Sequence, residues 1–130
     1  DAAVTAAHHR DRVRTPGYVS AADRRDLLAG ASVLAFPSHY EGFGFPPLEA
    51  MAAGVPVVTS CAGAVPEVVG DAALLVEPED VDALAGALAT ALTDEGVRRV
   101  LIERGRARHR AFSWTRAVDQ LLYVYEAVRA

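Results

Sequence analysis

The sequence has 130 residues, and at about 100–200 residues per domain that is one domain or part of one. It is 52% hydrophobic and 23% charged, enough apolar material for a buried core, which excludes a disordered tail. A single cysteine, Cys61, excludes a disulfide scaffold. The formal charge is −4 and all 13 cations are arginine; this balance lacks the basic footprint of sequence-independent nucleic-acid binding but leaves room for a local anion site.

The longest uncharged stretch, residues 50–66, contains Gly54, Pro56 and Gly63, which is incompatible with a spanning helix. The first fifteen residues carry Asp, His and Arg in place of the apolar run of a signal peptide. Because the sequence starts at Asp1 without methionine, the expectation is that an amino-terminal part of something larger is absent.

Residues 2–9 are alanine-rich and suit the end of a helix. Residues 12–19 read as a short strand after a turn. Ser20 is a good N-cap for a helix over about 21–29 with Asp23 in its first turn, and Gly30 is a stop signal. Residues 32–36 form a short apolar strand closed by Pro37. Residues 38–45, Ser-His-Tyr-Glu-Gly-Phe-Gly-Phe, have no period and form a loop. Pro46 and Pro47 open a helix over 48–53 that Gly54 ends. A strand over 55–59 follows, then a loop over 60–64, a single helical turn over 66–69 closed by Gly70, and a strand over 73–76. Pro78-Glu79-Asp80 caps a helix over about 81–92. Two more helices span about 95–110 and 114–129.

Short strands that are apolar on both faces and alternate with helices predict an α/β fold. The expected architecture is a Rossmann-like, three-layer parallel sheet with helices on both faces. Ligands of such sheets bind beyond the carboxyl ends of the strands. Three irregular loops fall there, at 41–47, 60–66 and 77–80, and together they mark a binding edge.

Within the first loop, Glu41 and Glu49 stand eight positions apart with a glycine-rich turn and a helix start between them. Glycines admit a ligand close to the backbone, and a helix N-terminus suits a phosphate. Carboxylates accept from hydroxyls, and two oxygens of one carboxylate can grip a vicinal diol. Phosphate plus diols describes a nucleotide sugar. Taken singly, each feature has a plainer reading: Glu49 as a favourable acid in a helix's first turn, Glu41 as a solvated loop residue, and the glycines as a turn.

As a string, Ser38-x-x-Glu41-Gly-Phe-Gly-Phe-Pro-Pro-Leu-Glu49-Ala-Met-Ala-Ala-Gly-Val-Pro-Val-Val58 closely resembles the donor-binding half of family 4 (group 1) retaining glycosyltransferases, which have the two-domain GT-B fold. Gly17-Tyr18-Val19 upstream and residues 66–73 downstream resemble the same family, so the resemblance covers about residues 17–128. It implies one partial nucleotide-sugar donor-binding domain over 1–130, whose last helix crosses to an absent acceptor domain. It assigns Glu41 to the donor sugar's hydroxyls, as a positioning group more than a nucleophile. It further assigns Gly42, Phe43, Gly44 and Phe45 to the sugar and diphosphate through their amides, Glu49 to the ribose diol with Leu48 nearby, and the loop at Val19 to the base. The leaving diphosphate would take the acceptor's proton, with retention of configuration. No metal or other cofactor is implied. The partners implied are a nucleotide-sugar donor, a glycan or lipid-linked acceptor and an N-terminal domain. The family's strand, glycine loop and diphosphate-neutralising Arg and Lys would precede Asp1, so the chain alone is expected to be inactive.

Other features have mostly structural readings. His8 and His9 are adjacent and diverge on a helix, which gives no metal-ligand spacing. His39 and Tyr40 share the loop of Glu41 and suit loop packing as well as ligand contact. Cys61 has no cation beside it in sequence to activate it. Residues 94–110 hold six arginines against three acids. The plain reading is a solvated helix with pairs Glu95–Arg99 and Arg99–Glu103; the functional one is peripheral contact with an anionic membrane or lipid-linked acceptor. Trp114, Val118, Leu121, Tyr125 and Val128 form one apolar stripe, by default packed in the core or against a neighbouring domain. The expected setting is cytoplasmic, with membrane association through the arginine-rich stretch. Two other functions fit the residues: a non-catalytic or split-enzyme sugar-nucleotide binding module, and a GT-B type sugar-nucleotide epimerase.

Overall fold

Three short apolar runs form the strands of a parallel sheet in the computed structural model, which describes residues 2–129. The strands are β1 (Leu34–Phe36), β2 (Val57–Ser60) and β3 (Leu74–Val76), in spatial order β1-β2-β3. Leu34 pairs with Val57 and Phe36 with Thr59; Val58 pairs with Leu74 and Ser60 with Val76. Every residue of β2 is buried, so both faces of the central strand are covered, as its uninterrupted run requires. Val57 belongs to the core that α3 (Phe45–Ala53) and α4 (Val65–Val69) build with Leu48, Met51, Val65 and Val69. Val58, next along the strand, faces the other way, and α5 (Val81–Thr93) packs on β2 and β3.

The helices start and stop where local chemistry dictates. At α2 (Ala21–Gly30), Ser20 and Asp23 form a reciprocal capping box, which satisfies two amides that the first turn would leave unpaired. Asp80 caps α5 at the amide of Ala83 and Asp94 caps α6 (Glu95–Arg110) at that of Val97, with donor–acceptor distances of 2.8 and 2.9 Å. Gly54 ends α3 in the left-handed region at φ 75°, the conformation a helix terminus favours in glycine. α6 lies close on α3, because Gly105 leaves room for Met51: a β-carbon there would sit 3.0 Å from Met51 Cγ.

Several expectations are corrected. Residues 12–19 are not a strand; Arg10–Arg12 form a 3-10 turn and the following residues run exposed up to half-buried Val19. A strand needs a neighbour to complete its ladder, and among the described residues no strand lies on the outer side of β1. Phe45 is already the first residue of α3, so Glu49 lies in the second turn, beyond the strongest influence of the helix dipole. The pairs Glu95–Arg99 and Arg99–Glu103 are not among the ion pairs of the described residues. Neighbouring α6 arginines reach other segments instead: Arg98 donates to Ser32 O, and Arg108 to Val68 O and Glu67 O. The apolar stripe of α7 (Trp114–Arg129) is not core; no described residue of α7 is buried, and Trp114 and Val128 are each 80% exposed.

The sheet's carboxyl edge is tied together by the strand-end hydroxyls. Thr59 Oγ1 donates to Phe36 O at 2.8 Å, and Ser60 Oγ donates to Ser38 O. The loop after β2 then closes onto the loop after β1: the amide of Ala64 donates to Glu41 O at 3.0 Å, and a β-carbon on Gly63 (φ 58°) would lie 2.6 Å from that same oxygen. Gly63→Ala must therefore displace the Glu41 backbone as well as strain its own, and should destabilise by about 1–3 kcal/mol. Gly86 in exposed α5 meets nothing within 4 Å, so Gly86→Ala should stabilise by about 0.5–1 kcal/mol. Urea midpoints of the two variants should move in opposite directions.

Candidate functional site

The three loops expected at one edge do meet there. The loop after β1 carries Glu41 to Gly44, the loop after β2 carries Gly63, and the one after β3 carries Glu77 to Asp80. They touch through Ala64 and Glu41, through Cys61 N donating to Val76 O at 2.9 Å, and through the His39–Glu79 pair at 3.9 Å. Glu79 is the one non-glycine residue with positive φ among the described residues, at 71°.

Glu41 is half-buried and its Oε1 accepts from Ser38 Oγ at 2.8 Å. The carboxylate is thus oriented by its own loop. Gly44, at φ 102°, is the N-cap of α3, and Pro46 and Pro47 occupy the next positions but one. Prolines have no amide to leave unpaired, so the free donors of this helix start are shifted back into the glycine loop. Among the described residues, no backbone amide from Gly42 to Phe45 donates to another protein group. The result is a short run of N–H groups without protein partners beside a carboxylate, a set that can bind phosphate oxygens and hydroxyls together. Phe43 is anchored by Phe45 and Phe112, with ring centroids 4.8 and 5.7 Å away, which fixes the path of the loop. Phe45 itself is more than half exposed.

Leu48 and Glu49 leave the loop on α3 and point to different places. Leu48 is 6% exposed and belongs to the apolar core. Glu49 faces α2, where its Oε1 meets Arg24 Nη2 at 2.9 Å; the side chains are 34% and 53% exposed respectively. Its Oε2 is buried without a hydrogen-bond partner. The Arg24–Glu49 pair lines a cleft of about 490 Å³ between α2 and α3, together with Arg25, Leu28 and Ala52. Val19 is half-buried immediately before the Ser20 cap of α2, one helical turn from Arg24. The chain therefore offers two polar centres, Glu41 with the glycine loop and Glu49 with α2.

Sequence reasoning did not single out Ser38, Ser60, Gly63 or Arg24 for the site. A glycine in an irregular loop and hydroxyls at a strand end were available signals for three of them. For Arg24 there was none, since its direction depends on how α2 packs on α3. A hydrogen bond to Glu77 and partial burial push the Cys61 thiol up, the direction of an inert thiol and not of an activated one. Among the described residues no group of three or more His, Cys, Asp or Glu side chains is placed to hold a metal ion. No helix of the described residues is long and apolar enough to cross a membrane.

The chain matches known proteins over nearly all its length. It is 44% identical over 114 residues to O-antigen chain mannosyltransferase B of Escherichia coli, covering 88% of this chain and 30% of that protein. It is 45% identical over 120 residues to MMP alpha-(1->4)-mannosyltransferase of Mycolicibacterium hassiacum, covering 89% of this chain and 29% of that protein. Among solved structures it is similar to sucrose-phosphate synthase from Thermosynechococcus elongatus, with a TM-score of 0.79 at 35% identity, over 91% of this chain and 30% of the other. The chain thus spans about 30% of the length of these relatives. The family model described as glycosyl transferases group 1 matches residues 2–108. With its parallel α/β architecture and this match over most of its length, the chain belongs to the group 1 glycosyltransferases.

Proposed function

We propose that this chain is the nucleotide-sugar binding part of a retaining glycosyltransferase that moves a hexose-type sugar from a nucleoside diphosphate to a glycan or lipid-linked acceptor. The observation that carries the reading is the glycine loop: amides from Gly42 to Phe45 without protein partners lie at the carboxyl edge of a parallel sheet, flanked by a carboxylate at each end. The diphosphate and the sugar lie along those amides. Glu41, oriented by Ser38, accepts from hydroxyls of the donor sugar. Glu49, which lines the α2–α3 cleft, takes the ribose diol; its Oε1 meets Arg24 and keeps a lone pair for a hydroxyl. The mannosyltransferases among the relatives support a hexose as the group moved.

In the reaction, the acceptor oxygen attacks the anomeric carbon on the face from which the diphosphate departs. The departing diphosphate takes the acceptor's proton, and configuration is kept. Contacts that orient the sugar act most strongly at this stage, which makes Glu41 a positioning group and not a nucleophile. No metal is required in this scheme. The exposed apolar stripe of α7 packs, in the whole protein, against the acceptor-binding domain.

The two glutamates give separate expectations in the full-length protein. Glu49→Ala should weaken binding of the matching nucleoside diphosphate by about 10- to 150-fold, read by calorimetry; unchanged affinity would leave Glu49 a packing residue. Glu41→Gln should leave that affinity within about 2-fold, because the diphosphate has no sugar to lose, and lower turnover of the sugar donor about 10- to 100-fold. Near-native rates would remove Glu41 from the site. A large loss of diphosphate affinity would show that the roles of the two residues are reversed.

A further inference from the structure

We propose that Arg24 is a positioning residue for Glu49, setting how strongly the site selects a ribonucleotide over its 2′-deoxy counterpart. This rests on the assignment of Glu49 to the ribose diol. Glu49 has three rotatable side-chain bonds and is a third exposed, so alone it would be spread over several rotamers. Arg24 Nη2 holds Oε1 at 2.9 Å and draws the carboxylate to the α2 side of the cleft. Arg24 is itself well placed to do this. Its amide makes the first hydrogen bond of α2, to Ser20 O at 2.9 Å, and the Ser20–Asp23 capping box fixes that turn.

The contact is to Oε1 only, and the other oxygen is buried with no protein hydrogen bond. A fully bidentate guanidinium would tie up both oxygens; a single contact orients the carboxylate and leaves the second lone pair of Oε1 for a hydroxyl. The pair also lines the α2–α3 cleft, so a ligand entering there meets Glu49 with Arg24 already attached. Elsewhere in the chain no cation is paired to either glutamate of the site among the described residues. Lysine, with a point charge and no planar fork, would orient the carboxylate less well.

The test uses the full-length protein and calorimetry with UDP, GDP and ADP, taking whichever binds tightest together with its 2′-deoxy form. The wild type should favour the ribonucleotide by about 10-fold or more. Arg24→Met should cost about 10-fold in ribonucleotide affinity and leave the deoxynucleotide within about 2-fold, so that discrimination collapses. Arg24→Lys should restore part of it. Equal weakening of both ligands in Arg24→Met, or retention of full discrimination, would overturn the proposal while leaving Glu49's assignment standing. A wild type that does not discriminate, together with a Glu49→Ala variant of unchanged affinity, would remove the assignment of Glu49 itself and with it the role of Arg24. Arg24 is half exposed and outside the core, so both variants should fold, and an unchanged circular dichroism melt checks this directly.

Discussion

Two buried hydroxyls at the end of β2 hold the site in place. Thr59 and Ser60 are fully buried, and each donates to a carbonyl of the neighbouring segment, Phe36 O and Ser38 O. The first half of β2 is valine, which suits a strand covered on both faces; the second half is hydroxylic because the β1 backbone there is leaving the sheet. Phe36 O also accepts from the Ser38 amide at 3.0 Å, so the hydroxyls add donors where the chain turns out of the ladder. With these hydroxyl donors, residues 36–38 are tied to the end of β2 as they leave the sheet, and Glu41 starts from a fixed position. Ser38 repays the constraint by orienting the Glu41 carboxylate.

From that anchor, eight positions of sequence separate two different environments. Glu41 belongs to a loop whose geometry is fixed from outside, by Gly63 and Ala64 beneath it and by the aromatic contacts of Phe43. Glu49 belongs to a regular helix and answers to α2. The diproline joint makes the separation abrupt: it begins the helix without adding amide donors, so the polar backbone lies before it and burial begins at its second proline, Pro47, and continues at Leu48. A ligand with a sugar at one end and a ribose at the other has the matching division.

Much of this was legible in the chain because the signals were local. The alternating strand–helix order, the stops at Gly54 and Gly70 and the caps at Ser20 and Asp80 depend on a few neighbouring residues, and the structure has them. The loops beyond the strand ends were legible because a parallel sheet leaves no other place for them. What was misread depended on partners distant in sequence. Residues 12–19 have strand-like composition, but composition does not supply a neighbouring strand. The stripe of α7 has helical period, and period does not say what covers it. The plainer reading of Glu49 tied it to the helix start because both are close in sequence; its Oε1 meets Arg24, twenty-five residues earlier, which only the packing of α2 on α3 brings near.

The absence of lysine has its clearest consequence in α6. Three of its arginines end on backbone carbonyls of other segments: Arg98 on Ser32 O at 2.6 Å, Arg104 on Asp71 O at 3.2 Å, and Arg108 Nε on Val68 O at 2.8 Å. Ser32 lies just before β1, and Val68 and Asp71 lie between β2 and β3, so one helix clasps the approaches to both outer strands. Each of these carbonyls sits where a helix or turn has ended and left an acceptor without its regular partner. A guanidinium presents several donors in a rigid plane and can satisfy two such acceptors at once, as Arg108 does with Val68 O and Glu67 O while its face lies 4.9 Å from the Phe112 ring centre. Phe112 in turn contacts Phe43. The clasp that closes the back of the sheet is therefore continuous, through Arg108, Phe112 and Phe43, with the glycine loop at its front edge.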